Sequence, residues 1–132
     1  MPLKKPWETF NPADWKELSG SYGVYELADA QDNVIFIGYA GSRARFGLRG
    51  KIIDHFSENE PNPVIRGRVA KFRYEVNSMY YSRWIDLLGR YREDYEQLPE
   101  GNAASDEHIP ELPHFNWKSW EVQGPTSKVQ GR

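Results

Sequence analysis

Short, mainly apolar runs separated by a polar stretch mark the first third of the chain. Residues 22–27 and 34–39 are rich in β-branched and aromatic side chains. Between them lies Asp29-Ala30-Gln31-Asp32-Asn33, a polar stretch with the residue types that favour turns. The pattern therefore predicts a β-hairpin. Residues 71–76 alternate between charged and apolar side chains and predict a third strand.

Helical spacing takes over after the hairpin. Leu48, Ile52, Ile53 and Phe56 recur at intervals of three and four, which predicts a helix from about Arg45 to Phe56. Residues 57–63 are rich in Asn, Glu and Pro and predict a loop. A longer helix, capped by Asn77 or Ser78, is expected after the third strand. Its predicted buried stripe is Tyr81, Trp84, Ile85, Leu88, Tyr91 and Tyr95.

The two ends of the chain differ from this central part. Asn11 and Pro12 favour the start of a short N-terminal helix, which Ser19-Gly20 would end. From residue 102 onward Pro, Gly, Ser and acidic residues dominate, interrupted by the aromatic residues Phe115, Trp117 and Trp120. Large aromatics without periodicity suggest a strap pinned to a surface, either of this chain or of a partner.

These elements predict an α/β (α+β) fold in three parts. Residues 1–20 form an N-terminal helical addition, and residues 103–132 form an extended acidic and aromatic tail. Residues 21–102 form a domain with a small three-stranded, mainly antiparallel sheet flanked by helices.

Composition excludes several classes of protein. The chain has no cysteine, so disulfides, thiolate zinc sites and cysteine nucleophiles are excluded. It has no apolar run of the length that crosses a bilayer, so no membrane span is expected. The first six residues are not followed by an apolar stretch, which predicts no secretory signal and a cytoplasmic location.

Charge is unevenly distributed along the chain, although the net charge is only -2. Residues 43–92 contain 11 Lys/Arg and 5 Asp/Glu, whereas residues 93–121 contain 8 Asp/Glu and one lysine. One interpretation is a solvated surface with an acidic tail. The other is a basic face for phosphate groups, with an acidic segment that covers it or competes for it.

Two tripeptides indicate a family. Gly23-Val24-Tyr25 and Phe36-Ile37-Gly38 lie on the two hairpin strands, ten residues apart, and a helix with basic residues follows. This arrangement resembles the GIY-YIG nuclease family over residues 22–102. The resemblance implies that the tripeptides lie on adjacent antiparallel strands and that the helix packs against them.

The resemblance also implies candidate site residues. Tyr25 keeps the tyrosine of the first signature, whereas Phe36 replaces the tyrosine of the second. Lys51 stands where the family's catalytic arginine belongs, and His55 lies one turn further on. Tyr25 or His55 could serve as the base in phosphodiester hydrolysis, and Lys51 could meet charge developing on phosphate.

A metal ligand is harder to assign by the resemblance. The family takes a glutamate from the helix after the third strand, and Arg83 or Trp84 occupies that position here. Asp86 is the acid nearest to it within the helix. We therefore predict weak or absent endonuclease activity. No cofactor is certain, and Mg²⁺ is the one expected if the protein is active.

Two functions remain open at this point. In the first, DNA or RNA binds to a basic groove beside Tyr25, formed by Arg43, Arg45, Arg49, Lys51 and Arg83. A second basic row, Arg66, Arg68, Lys71 and Arg73, would lead into the third strand. In the second function, the chain is a non-catalytic adaptor or accessory subunit that binds a protein through its tail. Convergence of the basic residues on one groove would favour the first.

Overall fold

A four-stranded antiparallel sheet forms the centre of the computed structural model, which describes residues 3–114. The strands lie in the order β1-β4-β2-β3. They are β1 (Glu8–Thr9), β2 (Gly23–Ala28), β3 (Val34–Ala40) and β4 (Lys71–Val76). The helices are α1 (Gly47–His55), α2 (Pro63–Arg68), α3 (Tyr80–Tyr95) and α4 (Glu100–Ala103), with a 3₁₀ helix at Pro12–Glu17. The predicted α/β class is confirmed, but the prediction of three strands was wrong.

The predicted hairpin forms the middle of the sheet. Strand β2 pairs antiparallel with β3 on one side and with β4 on the other, and every residue of β2 is buried. This burial explains why the strand is nearly continuously apolar, since both of its faces are covered.

Apolar layers cover both faces of the sheet. One layer packs α1 and α2 against the strands and includes Leu27, Leu48, Ile52, Ile65 and Phe72. The other packs α3 against the opposite face and includes Val24, Ile37, Trp84, Leu87 and Leu88. The helix after the hairpin and the helix after β4 therefore lie on opposite sides of the sheet.

The N-terminal segment belongs to the sheet, which was not predicted. Strand β1 pairs with β4 through Glu8↔Phe72 and Thr9↔Lys71. It has only two residues, too few for a strand pattern to be visible in the sequence. The predicted short helix is a 3₁₀ helix, and the Asn11 side chain caps it by accepting from the Ala13 amide.

Helix α1 begins at Gly47, two residues later than predicted. Gly47 has a φ of +59°, and a Cβ there would lie 2.1 Å from the Gly20 carbonyl oxygen. A side chain is therefore excluded where the helix starts. The next amides of the helix, those of Leu48 and Arg49, donate to the carbonyls of Ser21 and Ser19. These two amides of the first helical turn are therefore hydrogen-bonded within the protein.

Helix α2 covers residues for which the end of a loop and a basic row leading into the third strand were predicted. Asn62 caps it by accepting from the amides of Val64 and Ile65, and Pro63 occupies the first turn. This is the usual start signal of Asn followed by Pro, in a segment that we predicted to be a loop.

The second basic row is not continuous along a strand. Arg66 and Arg68 lie on α2, whereas Lys71 and Arg73 lie on β4. Each has partners within the fold: Arg66 donates to the Glu60 carbonyl, Arg68 pairs with Glu100 and Asp29, Lys71 pairs with Asp32, and Arg73 pairs with Glu26.

Arg73 connects the N-terminal segment to the sheet. Arg73 Nε lies 2.7 Å from Glu26 Oε1, and the Arg73 guanidinium lies 3.9 Å from the centre of the Trp7 ring. Arg73 also donates to the Lys5 carbonyl. Burial raises the pKa of Glu26, and Arg73 opposes the rise.

Helix α3 differs from its prediction in its N-cap residue and in the extent of its buried stripe. Met79 is its N-cap residue, and the predicted cap Asn77 instead accepts from the Met79 amide. Trp84 and Leu88 are buried as predicted, but Tyr81 is 44% exposed and Tyr95 is 62% exposed. The predicted buried stripe therefore extended too far toward both ends of the helix.

The chain beyond α4 returns to the fold, since Leu112 is buried in the layer that contains Trp84. Phe115, Trp117 and Trp120 of the predicted strap lie outside the described residues. Among the helices of residues 3–114, none combines the length and the apolar character needed to cross a membrane.

Candidate functional site

Tyr25 lies in the middle of β2 and is 2% exposed. It pairs across the sheet with Gly38 of β3 and Tyr74 of β4. Its ring lies over Gly38, where a Cβ would be 2.4 Å from the tyrosine Oη. The signature tyrosine and the signature glycine are therefore direct neighbours, and the glycine leaves room for the ring.

A chain of hydrogen bonds runs from Tyr25 to a carboxylate. Tyr25 Oη lies 2.6 Å from His55 Nε2, and His55 Nδ1 lies 2.5 Å from Glu60 Oε1. His55 is the last residue of α1, and Glu60 follows in the turn before α2. Both side chains are largely buried, with 13% and 6% of their surface exposed.

The protonation states determine which group donates in each of these two hydrogen bonds. Burial lowers the pKa of His55, Glu60 opposes that shift, and the charge of Lys51 adds to it. Burial, reinforced by the charge of Glu60, holds the pKa of Tyr25 well above its ordinary value. At neutral pH a neutral His55 donates from Nδ1 to Glu60 and accepts at Nε2 from the Tyr25 hydroxyl.

Glu60 is held by its own short turn. Its second carboxylate oxygen accepts from the Asn62 amide at 2.8 Å, and its carbonyl accepts from Arg66 at 2.7 Å. Sequence reasoning missed Glu60, because its contact with His55 depends on the turn between α1 and α2. The Asn62-Pro63 start signal was the available clue to that turn.

A pocket of about 330 Å³ opens beside the Tyr25–His55–Glu60 chain. Lys51, one turn before His55 on α1, lines it together with Phe36, Asn62 and Asn102. Asn102, also missed from the sequence, bonds to the backbone of Ile37: its side chain accepts from the Ile37 amide and donates to the Ile37 carbonyl. The pocket therefore joins a phenol, an imidazole and one lysine, and it is also lined by the acids Glu60, Asp106 and Glu107.

A second pocket of about 390 Å³ adjoins the first and shares Tyr39, Lys51 and Glu107 with it. Its other lining residues include Tyr80, Tyr81 and Arg43. Glu107 belongs to the acidic segment after α4, and its carboxylate accepts from the Tyr39 hydroxyl at 3.2 Å. An acidic residue therefore lies where the two pockets meet.

The predicted basic groove is only partly assembled. Lys51 and Arg43 line these pockets, whereas Arg45 lies over the Phe46 ring, 5.4 Å from its centre. Arg49 points away, donating to the carbonyls of Leu18 and Lys16. Arg83 pairs with Glu75 and Asp86. Of the five predicted residues, Lys51 lines both pockets and Arg43 lines the second pocket only.

The candidate metal ligand Asp86 does not fit a divalent cation. Its carboxylate accepts from Arg83 at 2.7 Å and from Arg90 at 3.1 Å. Glu75, the acid before α3, also accepts from Arg83. Within residues 3–114, no group of three His, Asp or Glu residues is arranged to hold a metal ion. Asp86 and Glu75 therefore do not fit a Mg²⁺ ion.

These residues define a class of protein. It is a four-stranded α/β domain in which buried Tyr25, His55 and Glu60 are joined by hydrogen bonds. The chain belongs to the DUF7508 family, described as a domain of unknown function, whose model matches residues 1–94. That span contains Tyr25, Lys51, His55 and Glu60, and it ends before Asn102 and Glu107. No curated protein matches the chain.

Proposed function

We propose that this protein is a divergent GIY-YIG-like domain that binds nucleic acid and cleaves it weakly or not at all. The observation that carries the proposal is the meeting of Tyr25, Lys51 and His55 at one pocket. These are the positions that the family resemblance selects from the sequence. The two signature tripeptides on paired strands, and α1 packed against that hairpin, support it.

Weak or absent cleavage is supported by the identity of the basic residue at the pocket and by the pairing of the candidate metal-binding acids. Lys51 can meet a phosphate as a point charge, but it lacks the two-pronged geometry of arginine. The acids that would hold a metal are paired with arginines on the other side of the sheet. A phosphodiester at this pocket would thus meet Lys51 and a protonated phenol. The pocket is also lined by Glu60, Asp106 and Glu107, and within residues 3–114 no such acids are arranged to hold a metal ion.

Phosphate is a suitable ligand for the two basic side chains at the pockets. Lys51 and Arg43 are exposed, and within residues 3–114 neither forms a salt bridge. Cations without an acidic partner can release counterions from a nucleic acid backbone, which makes affinity depend on salt.

Fluorescence anisotropy with labelled DNA and RNA over a range of salt concentrations tests the proposal. Lys51→Ala should weaken binding to all sequences and reduce the log–log salt slope by roughly 0.7 to 0.9. Lys16→Ala is the matched control, since it removes the same charge from a residue that does not line the pocket. Equal binding by the wild type and Lys51→Ala, or no binding by either, would count against the proposal.

A protein-binding adaptor is the second candidate, and the internal use of Arg49 and Arg83 favours it. In that case a protein partner would bind through the tail. Deletion of residues 116–132 should then abolish a pull-down that Lys51→Ala leaves intact. For either function we propose a cytoplasmic location, where nucleic acid and protein partners are both accessible.

A further inference from the structure

The second pocket has aromatic walls held in fixed positions. The Tyr39 ring stacks on Tyr80 with 5.8 Å between ring centres and 17° between planes. Tyr81 meets Tyr39 edge to face at 5.6 Å and also contacts Trp84 at 5.5 Å. Tyr81 nevertheless remains 44% exposed. The pocket therefore presents a supported aromatic ring to solvent, which is the usual surface for stacking a planar ligand.

The loop that carries Arg43 is fixed to the same tyrosines. The Ser42 amide donates to the Tyr80 hydroxyl at 3.3 Å, and the Ala44 amide donates to the Gly41 carbonyl at 2.9 Å. Gly41 lies against the Tyr80 ring, since a Cβ there would be 2.3 Å from it. This turn places Arg43 at one rim of the pocket, and Lys51 lines it as well.

A pocket lined by an exposed aromatic ring and by two cations matches the chemistry of a base with its flanking phosphates. In a duplex the faces of the bases are covered by their neighbours in the stack, so a protein aromatic ring can reach a base face only in a single strand or a splayed base. A pocket of about 390 Å³ also falls in the ordinary size range for a small planar group.

We propose that this tyrosine pocket takes one unpaired base of a single-stranded nucleic acid, stacked on Tyr81, with the flanking phosphates at Arg43 and Lys51. The inference rests on the proposed function and adds the substrate class to it. Because the two pockets share Lys51, the next nucleotide along the strand would lie beside Tyr25 and His55. Glu107 lines both pockets, so it disfavours phosphate at its own position and leaves Arg43 and Lys51 as the phosphate contacts.

The test compares oligo(dT), oligo(rU) and a hairpin duplex of equal charge, each labelled for anisotropy. The wild type should bind the single strands more tightly than the duplex. Tyr81→Ala should lower single-strand affinity by roughly 5- to 150-fold, the range expected for one stacked base, and should change duplex affinity little. Tyr81→Phe, which keeps the ring, should bind as the wild type does. Tyr95→Ala is the matched control, because Tyr95 is exposed on the same helix and does not line the pocket.

A second measurement uses only the unmodified protein, so its result does not depend on whether the variants fold. A single strand containing 2-aminopurine should lose fluorescence on binding the wild type, since stacking quenches that base. Tighter binding of either oligo(dT) or oligo(rU) than of the duplex supports the proposal, because both strands present unpaired bases.

Three results would overturn the proposal. These are a duplex bound as tightly as a single strand, equal losses on both ligands in Tyr81→Ala, and no quenching on binding. If Lys51→Ala still weakens binding in those cases, the proposed function stands and the stacking inference alone fails. If the wild type binds none of the three ligands, both fail together.

Discussion

Gly38 and Tyr25 are direct partners across β2 and β3, and the tyrosine ring occupies the space that a side chain at residue 38 would fill. The spacing of the two tripeptides therefore has a steric reason in this chain. One strand supplies the ring, and the other supplies the glycine on which the ring lies.

Gly38→Ala should destabilise the protein. Its Cβ would lie 2.4 Å from both Cζ and Oη of Tyr25, so the ring must shift and its bond to His55 must lengthen or break. Overpacking of this kind costs about 1 to 3 kcal/mol in the free energy of unfolding, measured by chemical denaturation. Gly67→Ala is the control, since nothing lies within 4 Å of its Cβ and it lies in helix α2. Identical unfolding curves for wild type and Gly38→Ala would contradict the steric argument.

Stability should fall as pH drops below the ordinary pKa of histidine. Burial lowers the native pKa of His55 from 6.5, so the unfolded chain binds a proton more readily than the native protein does. The contribution of His55 is complete above about pH 6.5 and is lost as pH falls toward the native pKa, by at most about 1.4 kcal/mol per pH unit. Denaturation between about pH 7.5 and 5 measures it.

Comparison of variants isolates the histidine responsible. His55→Gln should flatten the pH dependence in that window, whereas His108→Gln, which changes an exposed histidine, should not. Glu26 acts in the opposite direction, because burial raises its pKa, so the difference between wild type and His55→Gln is the quantity to read. An unchanged slope in His55→Gln would show that His55 titrates normally.

Metal-dependent cleavage of ordinary duplex DNA should not exceed background. The reason is that Asp86 and Glu75 are both paired with Arg83 and are not available as a ligand set. Incubation of plasmid DNA with Mg²⁺ or Mn²⁺ and analysis on a gel measures it. A clean activity that disappears in Tyr25→Phe or Lys51→Ala would prove this prediction wrong. Its loss in Asp86→Ala would in addition identify that carboxylate as a ligand.

Glu107→Gln should strengthen nucleic acid binding. The substitution removes a negative charge that lies between the two pockets, and it keeps an oxygen that can accept from the Tyr39 hydroxyl. For an exposed charge, a gain of roughly 2- to 5-fold is expected at low salt, and it should shrink as salt rises. Glu111→Gln makes the same change outside both pockets. Equal gains in the two variants would point to net charge instead of to the position of Glu107.

Arg49→Ala should lower stability more than it affects binding. Arg49 donates to the carbonyls of Leu18 and Lys16 and lies over the Trp15 ring, so it ties the 3₁₀ helix to α1. Loss of these contacts should cost about 1 to 2 kcal/mol in thermal or chemical unfolding. Arg43→Ala removes an exposed arginine of the pocket rim and should leave stability near that of the wild type. The reverse order of stabilities would assign the structural role to Arg43.

Local patterns predicted the hairpin, α1 and the shared face of Lys51 and His55, because each depends on residues close together in the sequence. Arg49 and Lys51 were predicted to line one groove, but residues two apart on a helix lie about 200° apart around its axis, so their side chains diverge. The Glu60 contact could not be predicted, since it requires a turn of particular shape after α1. Nor could the pairing of β1, because a two-residue strand has no pattern of its own.

Asn102 has a consequence for the assembly of the sheet. Strand β3 lies at an edge, and such an edge offers unpaired amides and carbonyls to any other strand. The Asn102 amide group occupies both backbone groups of Ile37, as a neighbouring strand would, from 65 residues further along the chain. The Trp84 indole donates to the same Ile37 carbonyl, so helix α3 covers this position as well. At Ile37 the edge is therefore closed to strand exchange between copies of the protein.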